Sequence, residues 1–114
     1  MSATMVRLGE MAHARSGDKG DRANIGVVAN DMRSYEHLRQ YLTVEVVAAF
    51  FAPMGIGRVV RYELPKIHAF NFVIEHALAG GASRSLRLDT QGKALGTVML
   101  ECPIPAIATS ETLA

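Results

Sequence analysis

A chain of 114 residues is close to the commonest size of a single domain, long enough to bury about two-thirds of its unfolded surface without metal or disulfide support. An apolar content of 49% with 20% charged residues excludes a disordered class, and a net charge of +1 lacks the basic excess that marks nucleic-acid or acidic-membrane binders. The single cysteine, Cys102, excludes a secreted disulfide framework.

Arg7, Glu10 and Arg15 interrupt any apolar signal-peptide core, and no run approaches the roughly 20 apolar residues of a membrane span. A cytoplasmic protein is therefore expected, with neither nucleic acid nor membrane as partner. In chain order, residues 4–13 alternate as a strand, with Val6, Leu8 and Ala12 on one side and Arg7 and His13 on the other. Arg15–Arg22 is dense in glycine and charge and reads as a loop. Ala23–Ala29 resumes as a strand, apolar on both faces and hence central, paired to the first through that loop.

Asn30, Asp31 and Ser34 are N-cap residue types ahead of Leu38, Tyr41, Leu42, Val46, Ala49 and Phe50 at helical spacing. Thr43 supplies a second cap, so this segment divides into two short helices before Pro53, Gly55 and Gly57 end it. Arg58–Leu64 is a strand with Val60, Tyr62 and Leu64 on one face. Ile67–Leu78 places Ile67, Phe70, Ile74, Ala77 and Leu78 on one helical face, with a strand as the alternative around Phe72 and Val73. Ser85–Asp89 alternates, Thr90–Lys93 is turn chemistry and Ala94–Cys102 is strand-like, which predicts a closing hairpin. The tail after Pro105 is small and polar, leaving residues 1–105 as the domain and 106–114 as a fraying end. The order β-β-α-β-α-β-β predicts an α+β fold, a two-layer sandwich with a mostly antiparallel sheet and its helices on one face.

The candidate functional site is the segment Ser16, Gly17, Asp18, Lys19, Gly20 and Asp21. Glycines alternating with charges allow successive backbone N–H groups to form an anion nest, to which Lys19 adds a positive charge. Alternatively, Asp18 and Asp21 offer oxygen ligands to a hard cation, and spacing does not choose between the two. A plain structural turn is the third reading. The spacing is not that of a phosphate-binding P-loop, and no cofactor is assigned.

Asn24 on an apolar strand needs amide partners, either in the loop or in a ligand. His13 at the strand end and Asn71, sharing a helical face with His68 and Glu75, are further candidate contributors. Arg84 and Arg87 on or beside the hairpin are able to bind a carboxylate, although the wet face of a half-buried strand is the usual place for two such arginines. His37 and His76 read as solvated helix residues, and Cys102 as a buried core thiol.

The run His13-Ala-Arg-Ser-Gly-Asp-Lys-Gly-Asp-Arg-Ala-Asn-Ile-Gly-Val27 resembles the opening signature of the AtuA-like domain found in acyclic terpene utilisation proteins. Leu42–Val47, Arg61–Pro65, Asn71–Ile74 and Arg84–Lys93 extend the resemblance over almost the whole chain. It implies a ferredoxin-like fold and a place in catabolism of branched or terpenoid acyl compounds at the CoA-thioester level. The larger proteins carry a big N-terminal domain that this chain lacks, so the resemblance implies a separate, larger AtuA-type partner. It also shifts weight at Asp18, Lys19, Asp21 and Asn24 from a structural turn toward a ligand or partner site.

Three functions follow as expectations. The leading one is an accessory or substrate-binding subunit of a larger AtuA-type protein. The second is a small hydratase- or lyase-like enzyme using Asp18 or Asp21 as base or metal ligand and Lys19 against an enolate-like oxygen. The third is a structural homo-oligomerisation module, for which the apolar run Val44–Phe51 is the compatible feature, although core burial explains that run better.

Overall fold

The computed structural model describes residues 4–19, 22–75 and 94–107. These contain strands β1 (Met5–Arg7), β2 (Ala12–Lys19), β3 (Arg22–Ala29), β4 (Val59–Leu64), β5 (Ala69–Glu75) and β6 (Pro103–Pro105). The helices are α1 (Met32–Tyr41), α2 (Val44–Phe51) and α3 (Ala94–Met99). Strands β2-β3-β5-β4 form one antiparallel sheet, and β1 pairs with β6 in a second, two-stranded one.

Alternation along the strands decides which side of the main sheet is covered. In β3, Ala23, Ile25, Val27 and Ala29 are buried; in β5, Phe70, Phe72 and Ile74 are completely so. The registers place Ala23 opposite Ile74, Ile25 opposite Phe72 and Val27 opposite Phe70, so these residues share one face. That face joins Leu38 of α1 and Leu42 at its C-cap, Val47 and Phe51 of α2, and Leu95 and Met99 of α3 in a single core. All three described helices therefore lie on one side of the sheet, as a two-layer α+β architecture requires.

Local chemistry sets the helix ends. Asp31 accepts a 2.8 Å hydrogen bond from the Ser34 backbone N–H at the start of α1, and Thr43 Oγ1 accepts one of 3.1 Å from Val46 N–H at the start of α2. The Asp31 bond favours the ionised carboxylate and lowers its pKa, so the cap's contribution is present above the ordinary carboxylate range and lost as pH falls. After α2, a 3₁₀ turn over Ala52–Met54 ends at Gly55, whose φ of 73° suits a residue without a Cβ.

Arg61 closes the other end of α1. Its guanidinium points under the helices, donates to the carbonyls of Arg39 at 3.1 Å and Leu42 at 2.9 Å, and lies 5.1 Å from the Phe70 ring centre. A cation at the negative end of the helix is favourable, and Glu63 at 2.7 Å completes its hydrogen bonding.

Several elements differ from the sequence reading. The first strand is interrupted by a 3₁₀ turn at Leu8–Glu10, because Leu8 and Met11 both bury on the core side. The segment expected as a loop is strand up to Lys19 and again from Arg22, a hairpin whose Gly20 and Asp21 lie outside the described residues. In β4 the inward positions are Val59 and Arg61, not Val60, Tyr62 and Leu64, since Arg61 is drawn in by α1.

The helix expected over Ile67–Leu78 is strand β5 as far as Glu75. Phe70, Phe72 and Ile74 alternate with period 2, and β-branched and aromatic residues suit a central strand. Conversely, the strand expected over Ala94–Cys102 begins with helix α3. There Leu95, Met99 and Cys102 recur at helical spacing, and all are buried. The expected hairpin strand Ser85–Asp89 and its turn, with His76, Arg84 and Arg87, lie outside the described residues. The two short helices, the strand near Arg58–Leu64 and the burial of Val47 and Phe51 agree with expectation.

Phe72 sits at the crossing of Ile25 and Arg61 in the middle of this core. Phe72→Ala should therefore destabilise the domain by about 3–5 kcal/mol in urea titration, whereas Tyr62→Ala on the opposite face should change stability by less than about 1 kcal/mol.

Candidate functional site

The residues singled out between His13 and Asn24 separate onto the two faces of the β2–β3 hairpin. Ser16 faces inward. Its Oγ accepts a 2.8 Å hydrogen bond from Gly96 N–H in the first turn of α3, so the hydroxyl satisfies a backbone donor that the helix itself cannot. A Cβ built on Gly96 would lie 3.2 Å from the Arg15 carbonyl carbon and 3.3 Å from Ser16 N. The helix backbone thus rests directly on β2, and glycine at position 96 permits the approach. Ser16 holds the fold together at this point.

Gly17, Asp18 and Lys19 continue β2 opposite Asn24, Ala23 and Arg22. Successive N–H groups of an extended strand point in opposite directions, so Ser16–Lys19 does not form the nest expected for a loop. Gly20 and Asp21 lie outside the described residues, as does Arg84.

The other face of the sheet is where the remaining candidates meet. Cross-strand registers place His13, Val28, Ala69 and Leu64 in one row. The next row is Arg15, Gly26, Asn71 and Tyr62; the one beyond is Gly17, Asn24, Val73 and Val60, followed by Arg22 opposite Glu75. His13, Gly17, Asn24 and Asn71 therefore lie on one surface, although 58 positions separate the first from the last along the chain (71 − 13). Asn24 Nδ2 donates to Asn71 Oδ1 at 3.4 Å, which supplies the amide partner that the strand environment demanded. A depression of about 220 Å³ is lined by Arg22, Ala23, Asn24 and Val73.

This surface carries no helix among the described residues. Val28, Tyr62 and Leu64 keep 42%, 52% and 42% of their surface exposed, a high fraction for large apolar side chains in a sheet. Arg15 and Arg22 are exposed and make no ion pair or hydrogen bond within the described residues. Sequence reading missed Arg15, Arg22, Gly26 and Tyr62. Continuing the strand through the glycines would have found the first three, since positions 15 and 17 share a parity with one another, as do 22, 24 and 26.

Three other polar groups belong to the fold. His37, expected to be solvated, is half-buried, with Nε2 2.6 Å from the Pro105 carbonyl and its ring 4.7 Å from that of Tyr41. It ties α1 to the C-terminal strand. His68 adopts φ 55° at the turn into β5 instead of sharing a helical face with Asn71. Cys102 is completely buried, as expected, and desolvation pushes its thiol up to about 11. No group of three or more His, Cys, Asp or Glu able to hold a metal is found among the described residues, and none of their helices is long and apolar enough to cross a membrane.

Two outcomes check these assignments. Ser16→Ala should lower stability by about 1 kcal/mol through loss of the acceptor at α3, measured by thermal and urea unfolding. For Cys102 the folded value lies above that of the unfolded thiol, so its contribution is retained below pH ~8.5 and lost as pH rises toward about 11. Native protein at pH 8 should resist alkylation that the unfolded chain undergoes, and Cys102→Ala should flatten the alkaline loss of stability.

No curated protein and no solved structure matches the chain. The family model described as the AtuA ferredoxin-like domain matches residues 6–105, which takes in every described strand and helix from Val6 to Pro105. The chain belongs to the AtuA ferredoxin-like domain family.

Proposed function

We propose that this protein is an accessory subunit that works with a larger AtuA-type protein in the breakdown of branched or terpenoid acyl compounds, taken as CoA thioesters. Membership of the AtuA ferredoxin-like domain family supports an AtuA-related context. The observation that carries the subunit reading is the sheet face, free of the described helices, on which His13, Gly17, Asn24 and Asn71 converge. A two-layer domain with one solvated sheet face needs polar residues there, yet this face also carries exposed Tyr62, Leu64 and Val28. Exposed apolar side chains grouped with unpaired polar ones are characteristic of contact surfaces.

Internal use of the hydroxyl and thiol supports a binding role over an independent enzyme. Ser16 is engaged by α3, and Cys102 is buried with a raised pKa that disfavours the nucleophilic thiolate. Asp18 and Asp21 remain the acids through which an enzymatic role would act.

Gel filtration with light scattering of this chain mixed with a purified larger AtuA-type protein should reveal a complex. Turnover of a branched acyl-CoA by that protein should rise when the chain is added. Absence of both complex and rate change overturns the reading, while turnover by this chain alone, abolished in Asp18→Asn or Asp21→Asn, replaces it with the enzymatic one.

A further inference from the structure

Strands β1 and β6 bind the two ends of the domain to one another. Met5 lies opposite Pro105, Val6 opposite Ile104 and Arg7 opposite Pro103, and among the described residues this ribbon shares no strand pairing with β2-β3-β5-β4. Backbone bonds extend it at both ends. Ala106 N–H donates to the Thr4 carbonyl at 2.7 Å, Leu8 N–H to that of Cys102 at 2.9 Å, and Gly9 N–H to that of Leu100 at 2.9 Å. A two-stranded ribbon this short is marginal by itself and depends on what crosses it and what packs under it.

An ion pair crosses it. Arg7 donates twice to Glu101, from Nε to Oε1 and from Nη2 to Oε2, both at 2.9 Å, and Nη1 reaches Glu10 at 3.5 Å. This bidentate form is the strongest geometry open to a solvent-exposed pair. Gly9 makes room for it, since a Cβ there would lie 3.2 Å from Arg7 Nη2 and 3.4 Å from Leu100 Cβ. On the core side, Ile104 is buried and Val6 partly so. His37 Nε2 lies 2.6 Å from the Pro105 carbonyl oxygen; because a carbonyl only accepts, that nitrogen carries the proton and fastens β6 to α1.

Cys102 stands where α3 runs into this ribbon. It is completely buried, its N–H donates to the Met99 carbonyl at 3.0 Å, and its Sγ is 3.9 Å from the Pro103 carbonyl oxygen. Leu8, one residue past β1, and Pro103, the first of β6, are thus in direct contact with it. We infer that β1 and β6 form a clasp, locked by Arg7 and Glu101, that opens as one unit while the four-stranded sheet stays folded, and that this opening exposes the Cys102 thiol. The device is independent of the subunit reading above. When the clasp opens, Val6, Cys102 and Ile104 lose their cover, whereas Ile25, Val27, Phe70 and Phe72 keep their strand pairing and their place in the core.

The test is the rate at which excess iodoacetamide alkylates Cys102 in the full chain at pH 8, measured against urea concentration, with global unfolding followed by circular dichroism. The urea dependence of an opening scales with the surface it exposes. Labelling through the clasp should therefore change little at low urea and join the steep global dependence only near the unfolding transition. Arg7→Ala and Glu101→Gln should each raise the low-urea rate about threefold, and the double variant no further, because both remove the same interaction. Arg39→Ala breaks the exposed pair with Glu36 on α1, away from the ribbon, and should label as wild type does. A rate that follows the global urea dependence from the lowest concentration overturns the clasp, as do Arg7 and Glu101 variants that label no faster than wild type.

Discussion

The registers of four strands assign every side chain of the main sheet to one of two faces, and only one face is covered by the described helices. Ile25, Val27, Phe70, Phe72 and Ile74 bury one face completely beneath α1, α2 and α3. Because side chains alternate with period 2, the same registers place Arg15, Asn24, Asn71 and Tyr62 on the other. A one-residue slip of β3 would exchange the two sets, exposing isoleucine and burying asparagine. Core packing therefore fixes the composition of the outer face, which follows from the demands of the interior.

Two contacts carry that constraint to the edges of the sheet. At β2, the Ser16 hydroxyl and the missing Cβ of Gly96 seat α3 against the strand, so a residue inside the family signature anchors a helix eighty positions away (96 − 16). At β4, Arg61 turns inward to cap α1 and leaves Tyr62 on the open side. In both strands, adjacent residues have opposite tasks, one fastening the helical layer and the next facing out. This explains how the short run from His13 to Asn24 contains both structural and surface residues.

Much of the fold was legible where local chemistry was decisive. Asp31 and Thr43 announced two helices because side-chain caps are short-range devices, and Gly55 announced their end. The inward turn of Arg61 was not legible, because the attraction comes from the carbonyls of α1, about twenty residues away in sequence. Segment β5 misled because Ile67, Phe70 and Ile74 also fit a helical face; burial on a central strand selected the period-2 pattern. Segment α3 misled in the opposite sense, since a short apolar run suits strand or helix and only the seat on β2 decided it. In the candidate site, glycine and charge suit loop chemistry as well as a strand. The alternation 15, 17 and 22, 24, 26 was visible, but its meaning needed the register with β5 that brings Asn71 beside Asn24.

The central proposal is that the sheet face carrying none of the described helices, and not the helical face, is the working surface of the domain. Hydroxyl-radical footprinting of the full chain with and without the larger AtuA-type protein addresses it most directly, because reactive side chains are exposed on both sides. His13 and Tyr62 report the sheet face, and Met32 and Tyr41 report α1. Protection of His13 and Tyr62 with unchanged labelling of Met32 and Tyr41 is the predicted result; protection confined to Met32 and Tyr41 would contradict the account.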